Sequence, residues 1–256
     1  MRVMVCIKRV PLVGGKVVLS PDGKEVDTKF LGFGISPHEE CAVEEAVRLV
    51  ERNGGSSTVV TLGPQSAVEQ LQFAMSLGID EAILIDSGDE EWGPMSTAAA
   101  LASAVSEKVA EGAAPDLLLL GNEAPDSGDY QVGIRVATAL GWPCVTGVKE
   151  LDVSDGTAVA RREHGSEMEM FSVSLPAVVT VKEGLNLPRY PSLPGRLRAK
   201  GKKIDQMKAE RMAEGLTTLQ LRLPAEDGRE TELLGTGVDA VPRLIEVLRE
   251  TGVLAR

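Results

Sequence analysis

The sequence predicts an α/β protein built on a mostly parallel, doubly wound sheet with an extended C-terminal arm. Three observations carry this: short apolar runs, amphipathic segments alternating with them, and a change of texture after about residue 180. The apolar runs at 3–7, 58–62, 82–85, 117–120 and 177–181 lack the polar alternation of half-exposed strands, as strands buried on both faces do. Between them, residues 37–51 place Ala42, Val43, Ala46, Val47, Leu49 and Val50 near a 3.6-residue period, with Glu44, Glu45, Arg48 and Glu51 on the wet side. Ser36, Pro37 and Glu39 supply a capping hydroxyl, a first-turn proline and an early carboxylate. Helices are also predicted over 66–77, 96–111 and 129–140, each followed by a glycine, Gly78, Gly112 or Gly141. Residues 16–27 read as one hairpin, and 148–173 as a second turning at Asp155-Gly156.

The domain reading is a nucleotide-binding α/β body over 1–181, a partner-recognition loop over 182–203 and an arm over 204–256 ending in a helix at 239–250. Pro188, Pro191 and Pro194 exclude a regular helix or central strand from the loop on this reading.

Composition narrows the function. A net charge of -11 and 3 % aromatic residues argue against nucleic acid. Nothing approaches the length of an apolar membrane span, and the N-terminal MRVMVCIK runs directly into a strand. The three cysteines, Cys6, Cys41 and Cys144, are scattered in apolar surroundings, as expected of buried thiols in a reducing, cytoplasmic setting. His38 and His164 lack metal-ligand spacing, so no metal centre is expected.

Ligands of an open parallel sheet bind beyond the carboxyl ends of its strands, where strand order reverses. The loop from Gly121 through Asn122, Ala124, Asp126, Gly128, Asp129, Tyr130, Gln131 and Val132 is small and turn-forming, and the helix start after it would attract a phosphate. An Asp- and Gly-rich surface turn has the same composition, and no complete phosphate-loop or dinucleotide motif decides between them. Ser36, Pro37, His38 and Glu39, like Leu62 and Gly63, read by themselves as a cap and a turn. The cations Lys182, Arg189, Arg196, Arg198, Lys200, Lys202 and Lys203 surround Tyr190 and Leu193, an apolar knob ringed by charge that suits steered docking of a partner.

Several segments, in order, resemble the beta subunit of electron transfer flavoprotein. They are Val3-Met4-Val5-Cys6-Ile7-Lys8-Arg9-Val10, Pro37-His38-Glu39-Glu40-Cys41-Ala42-Val43-Glu44-Glu45-Ala46, Leu119-Leu120-Gly121-Asn122-Glu123-Ala124-Pro125-Asp126, Leu175-Pro176-Ala177-Val178-Val179-Thr180 and Leu187-Pro188-Arg189-Tyr190-Pro191-Ser192-Leu193-Pro194. The resemblance implies a Rossmann-like fold, of the adenine nucleotide alpha hydrolase type, and a heterodimer with an alpha subunit that holds most of a redox-active FAD. It implies a structural AMP in this chain, enclosed by the Cys6 backbone, Ser36 to Glu39, Leu62-Gly63 and the loop from Gly121 to Val132. Where the family often reads Asp-Asp-x-x-Asn-Gln-Thr-Gly, this chain keeps Gln131 and Gly133 but has Tyr130 and Val132 for the Asn and Thr, leaving backbone contacts to the phosphate. A family tyrosine near the flavin is replaced by Pro11-Leu12-Val13-Gly14, so Leu12 or Val13 would supply an aliphatic contact. Tyr190, Leu193, Arg196 and Lys200 fall in the family's recognition loop.

The implied role is electron carriage without catalytic residues of its own, from acyl-CoA dehydrogenases of fatty acid β-oxidation and other flavin dehydrogenases to a membrane quinone reductase. The rivals are an electron-bifurcating relative with a second FAD in place of AMP, and a stand-alone adenine-nucleotide-binding stress or signalling domain.

Overall fold

The computed structural model describes residues 1–88, 90–213, 215–224 and 231–254. Among these residues the centre is a nine-stranded sheet. In chain order the strands are β1 (Arg2–Cys6), β4 (Ser56–Gly63), β5 (Glu81–Asp86), β6 (Leu117–Gly121), β7 (Cys144–Ser154), β8 (Thr157–His164), β9 (Glu167–Ser174), β10 (Ala177–Val181) and β11 (Asp205–Lys208). A separate antiparallel pair, β2 (Val10–Leu12) with β3 (Gly32–Gly34), leaves β1. In space the order is β11-β5-β4-β1-β6-β10-β7-β8-β9. All neighbours from β11 to β7 are parallel, and β8 and β9 extend the sheet antiparallel. The chain winds outward from β1 through β4 to β5, then returns to β6 on β1's other side, so strand order reverses at the carboxyl ends of β1 and β6.

Two helices, α1 (Pro37–Asn53) and α2 (Val68–Leu77), cover one face, and α3 (Pro94–Ala110) and α4 (Val132–Leu140) cover the other. Val5, Leu117, Leu119, Val179, Leu49 and Leu71 fill the first core layer, while Met4, Leu118, Val178, Leu101, Val105 and Val136 fill the second. The alternation of Leu117 to Leu120 between the layers is the pleat of a strand buried on both sides.

The predicted strands and first three helices lie within a few residues of the observed ones. Helix α4 begins at Val132 rather than 129, because Tyr130 takes a left-handed φ of 56° that a helix cannot include. The 16–27 hairpin forms as a short one around the Leu19–Val26 bridge, with the Ser20 N–H on the Glu25 carbonyl and the Asp27 N–H on the Val18 carbonyl, and the 148–173 region is a three-stranded meander.

The proline-rich stretch requires a correction. A further helix, α5 (Leu193–Gly201), forms inside the segment assigned to irregular loop. Pro194 lies in its first turn, where the missing N–H is harmless, and the Ser192 side chain accepts the Gly195 N–H. The other prolines precede the helix. Gly195 and Ala199 are buried, and a Cβ on Gly195 would lie 2.5 Å from the Ser76 carbonyl oxygen at the end of α2.

Met1–Leu219 form one compact unit, which takes in β11 and the start of the arm. A second unit begins at Gln220 and carries a 3₁₀ turn (Gly237–Ala240) leading into α6 (Val241–Glu250), whose Arg243 pairs with Glu246 and Glu250. Among the described residues, no helix is long and apolar enough to cross a membrane.

Candidate functional site

The site is assembled where β1 and β6 deliver their last residues. Ile7 still pairs with β4, its N–H reaching the Val60 carbonyl at 3.0 Å while the Thr61 hydroxyl donates to its own carbonyl at 2.8 Å. Cys6 just before it is buried, and burial with Glu39 nearby pushes its thiol pKa up, so it contributes as a neutral wall.

The chain then turns against the start of α1. Glu39 is 5 % exposed and its carboxylate accepts the N–H of Lys8 at 2.7 Å and that of Ser36 at 2.9 Å; the Ser36 hydroxyl in return accepts the Glu39 N–H. This capping box pins α1 and the end of β1 together. Burial drives the Glu39 carboxyl from an ordinary 4.5 to about 7, outweighing the two amide bonds. Gly121 allows the third element in: a Cβ there would stand 2.9 Å from Glu39 Cγ.

His38 joins the same corner from Pro37's side. The Glu183 N–H donates to its Nδ1 at 2.7 Å, which places the ring proton on Nε2, facing Glu123 Oε1 at 3.3 Å. It therefore bridges the ends of β6 and β10. Asn122 does the same for β10: its N–H donates to the Val181 carbonyl, and its Oδ1 accepts the Thr180 hydroxyl at 2.8 Å. The Thr180 oxygen in turn accepts the Gly147 N–H.

Beyond Asn122 the loop turns tightly, with the Gly128 N–H on the Ala124 carbonyl and left-handed φ at Gly128 and Tyr130. Asp126 faces Lys8, Nζ to Oδ2 at 2.6 Å, and Lys8 also reaches Glu91 at 3.1 Å. Burial would lower the Lys8 pKa, but the two carboxylates overcome it and raise it. Lys8 is the functional candidate that sequence reasoning did not single out; a lysine directly after a buried strand at the order reversal is the signal that marks it. Gln131 accepts two hydrogen bonds from Arg135, and α4 begins at Val132 without a side-chain cap.

Gly63 is buried at the end of β4 and its carbonyl accepts the Ser87 N–H; Leu62 packs into the second core layer. Thus the residues Cys6, Ser36 to Glu39 and Gly121 to Val132 meet at one corner, with Leu62-Gly63 at the end of the next strand. Leu12 and Val13 stand apart on the β2–β3 side, 54 % and 45 % exposed, with Leu12 folded over Gly34. Asp129 lies on the exposed part of the loop.

The docking candidates form a second locus. Tyr190 and Leu193 are 96 % and 72 % exposed. Leu193, Arg196, Leu197 and Lys200 share one outward face of α5 at helical spacing, opposite buried Gly195 and Ala199. Two clefts, of about 380 and 450 Å³, border the loop leading to α5 rather than the strand-end corner. Among the described residues no cluster of His, Cys, Asp or Glu could hold a metal ion.

A parallel sheet whose order reverses beside glycine-rich strand-end loops defines a Rossmann-like α/β protein. Sequence comparison then specifies which. The profile of the electron transfer flavoprotein domain matches residues 28–212. Electron transfer flavoprotein subunit beta of Bacillus subtilis is 35 % identical over 222 residues, covering 84 % of this chain and 85 % of its own length. The subunit beta of Homo sapiens is 33 % identical, with 98 % of each chain covered. That of Bradyrhizobium diazoefficiens is 35 % identical, covering 99 % of this chain and 100 % of its own. The chain belongs to the electron transfer flavoprotein family, as one of its beta subunits.

Proposed function

We propose that the chain works as the beta half of a heterodimer with an electron transfer flavoprotein alpha subunit, passing electrons from acyl-CoA and other flavin dehydrogenases to a membrane quinone reductase. In this reading AMP sits at the corner of β1 and β6, and an FAD carried mainly by alpha lies on the Leu12 and Val13 side. The observation that carries it is full-length membership of the beta-subunit family by a chain whose strand-end loops gather at the order reversal.

The residues present fit a nucleotide. Three carboxylates near the corner are already engaged: Glu39 by backbone amides, Asp126 by Lys8 and Glu123 by His38. Each carboxyl is thus already satisfied within the protein. The uncapped start of α4 supplies backbone N–H groups, the usual anion ligands of such folds. At Gly128 the space a Cβ would take is open. A bound flavin would supply the redox chemistry, and the role of this chain is to bind, orient and exclude water. It acts as a cytoplasmic electron carrier with no catalytic residues of its own.

Releasing the nucleotides from the purified heterodimer and weighing them tests the cofactor assignment. One AMP and one FAD per heterodimer are expected. Two FAD would replace it with the electron-bifurcating type, and a chain that purifies alone with a bound adenine nucleotide would favour a stand-alone signalling domain. For docking, Leu193→Ala is expected to raise the KM for the heterodimer as acceptor of an acyl-CoA dehydrogenase by about 10- to 30-fold, the scale of one interface hot spot. FAD content should not change. An unaltered KM would remove Leu193 from the interface.

A further inference from the structure

The loop between β10 and α5 contains no regular structure, yet it is not loosely held. Within residues 183–189 it is bonded to the outer face of α1 through Glu183, Asn186, Leu187 and Arg189. The first contact is the Glu183 N–H on His38. The Asn186 side chain then donates to the Cys41 carbonyl at 3.0 Å and to Glu45 Oε2 at 3.1 Å, and Arg48 donates to the Leu187 carbonyl at 3.1 Å. The anchors on α1 recur at helical spacing, so a single face of one helix carries the stretch from Glu183 to Arg189.

The tightest grip is at its end. Glu44 is 2 % exposed, although it lies on the polar side of α1. Its carboxylate accepts the Arg189 backbone N–H at 3.1 Å, Arg189 Nε at 2.9 Å, Arg189 Nη2 at 3.2 Å and Arg48 Nε at 2.6 Å. The Arg189 guanidinium reaches on to Glu51, at 2.7 and 3.0 Å. An arginine whose planar guanidinium is held by two carboxylates, and whose backbone N–H donates to one of them, has little freedom to rotate. Burial pushes the Glu44 carboxyl up, but the bonds from Arg189 and Arg48 outweigh it and keep it ionised. Directly after this clamp comes Tyr190, and three residues on, at the start of α5, Leu193, both exposed apolar groups of the docking locus.

We infer that Glu44 is a positioning residue for partner docking, which acts by clamping Arg189 and so fixing the angle at which Tyr190 and Leu193 leave the protein. Glu44 touches no partner itself. Its effect is preorganisation: a knob already held in its bound geometry loses less conformational freedom on docking. The inference rests on the docking role proposed above for Leu193, and the experiment separates the two.

Heterodimers carrying Glu44→Gln, Glu44→Asp, Leu193→Ala and the Glu44→Gln/Leu193→Ala pair are compared as acceptors of an acyl-CoA dehydrogenase from the same source, reduced with butyryl-CoA. Glu44→Gln keeps the shape but loses the charge, and it is expected to raise KM about 5- to 10-fold with kcat retained. Glu44→Asp should recover most of that loss. The pair should lose clearly less than the two single losses multiplied together, because the Glu44 change acts in part through Leu193. Amide hydrogen exchange over 187–193 should quicken in Glu44→Gln, while flavin reduction by dithionite stays at the parent rate.

If Leu193→Ala raises KM and Glu44→Gln does not, Glu44 has no positioning role. A Glu44→Gln defect that adds in full to that of Leu193→Ala, or that lowers kcat along with dithionite reduction, overturns the inference in favour of a general structural role. A KM unmoved by either single change removes the docking reading, and the inference with it.

Discussion

Gly133→Ala is expected to lower the melting temperature of the protein by roughly 2–8 °C, and Thr180→Ser is expected to reverse the effect. A Cβ at Gly133 would stand 2.4 Å from Thr180 Cγ2, well inside contact distance. Two opposing terms meet here. Alanine gains up to about 1 kcal/mol over glycine in a helix, whereas overpacking of a rigid neighbour costs about 1–3 kcal/mol. The clash wins because Thr180 cannot turn away without giving up its hydroxyl bonds to Asn122 and Gly147. The net loss is about 1–2 kcal/mol, and each kcal/mol moves the midpoint of a chain this size by about 2–4 °C. Serine keeps the hydroxyl and removes the offending methyl. In a Thr180→Ser background Gly133→Ala should therefore be neutral or stabilising; a penalty of the same size in both backgrounds would show that the contact is not its cause.

The second large effect is a pH dependence from Glu39. Its carboxyl holds a proton up to about pH 7 when folded, against an ordinary 4.5 when exposed in the unfolded chain. Between those values the folded state binds more protons, so Glu39's contribution is full below about pH 4.5 and is lost as pH rises through 7. The span of about 2.5 pH units corresponds to on the order of 3 kcal/mol. Urea unfolding of the parent and Glu39→Gln between pH 5 and pH 8 reads this as a difference. The amide must turn its NH2 toward one of the two N–H groups now facing oxygen, so the variant should be less stable at pH 5 and approach the parent by pH 8. A constant gap between the two curves would place the Glu39 carboxyl at its ordinary pKa.

Most of the framework was legible in the sequence because it follows from burial. Strands such as 117–120 and 177–181 are apolar throughout since helices cover both faces, and that pattern needs no knowledge of partners. The α1 cap at Ser36 and Glu39 was legible for a similar reason, being local. What escaped depended on distant residues or on position within a turn. The Lys8 bond to Asp126 and the Arg189 clamp on Glu44 span 118 and 145 residues, and nothing in either local segment announces its partner. Pro194 was misread because a proline excludes the middle of a helix but suits its first turn, a distinction of one or two residues. Tyr130 displaced the start of α4 for an equally local reason, a backbone angle that its side chain does not advertise.

Because the β10–α5 segment takes its anchors from one face of α1, those anchors are in register only while the helix keeps its residue count. Inserting a single residue midway along α1 would turn everything downstream by about 100° and carry it forward by about 1.5 Å. Glu44, Arg48 and Glu51 would swing away from Arg189 and Leu187 while Ser36, His38 and Glu39 stayed at the strand ends. Length changes in this protein should accordingly be confined to its turns and barred from α1, even at the positions of that helix where side-chain identity is free to vary.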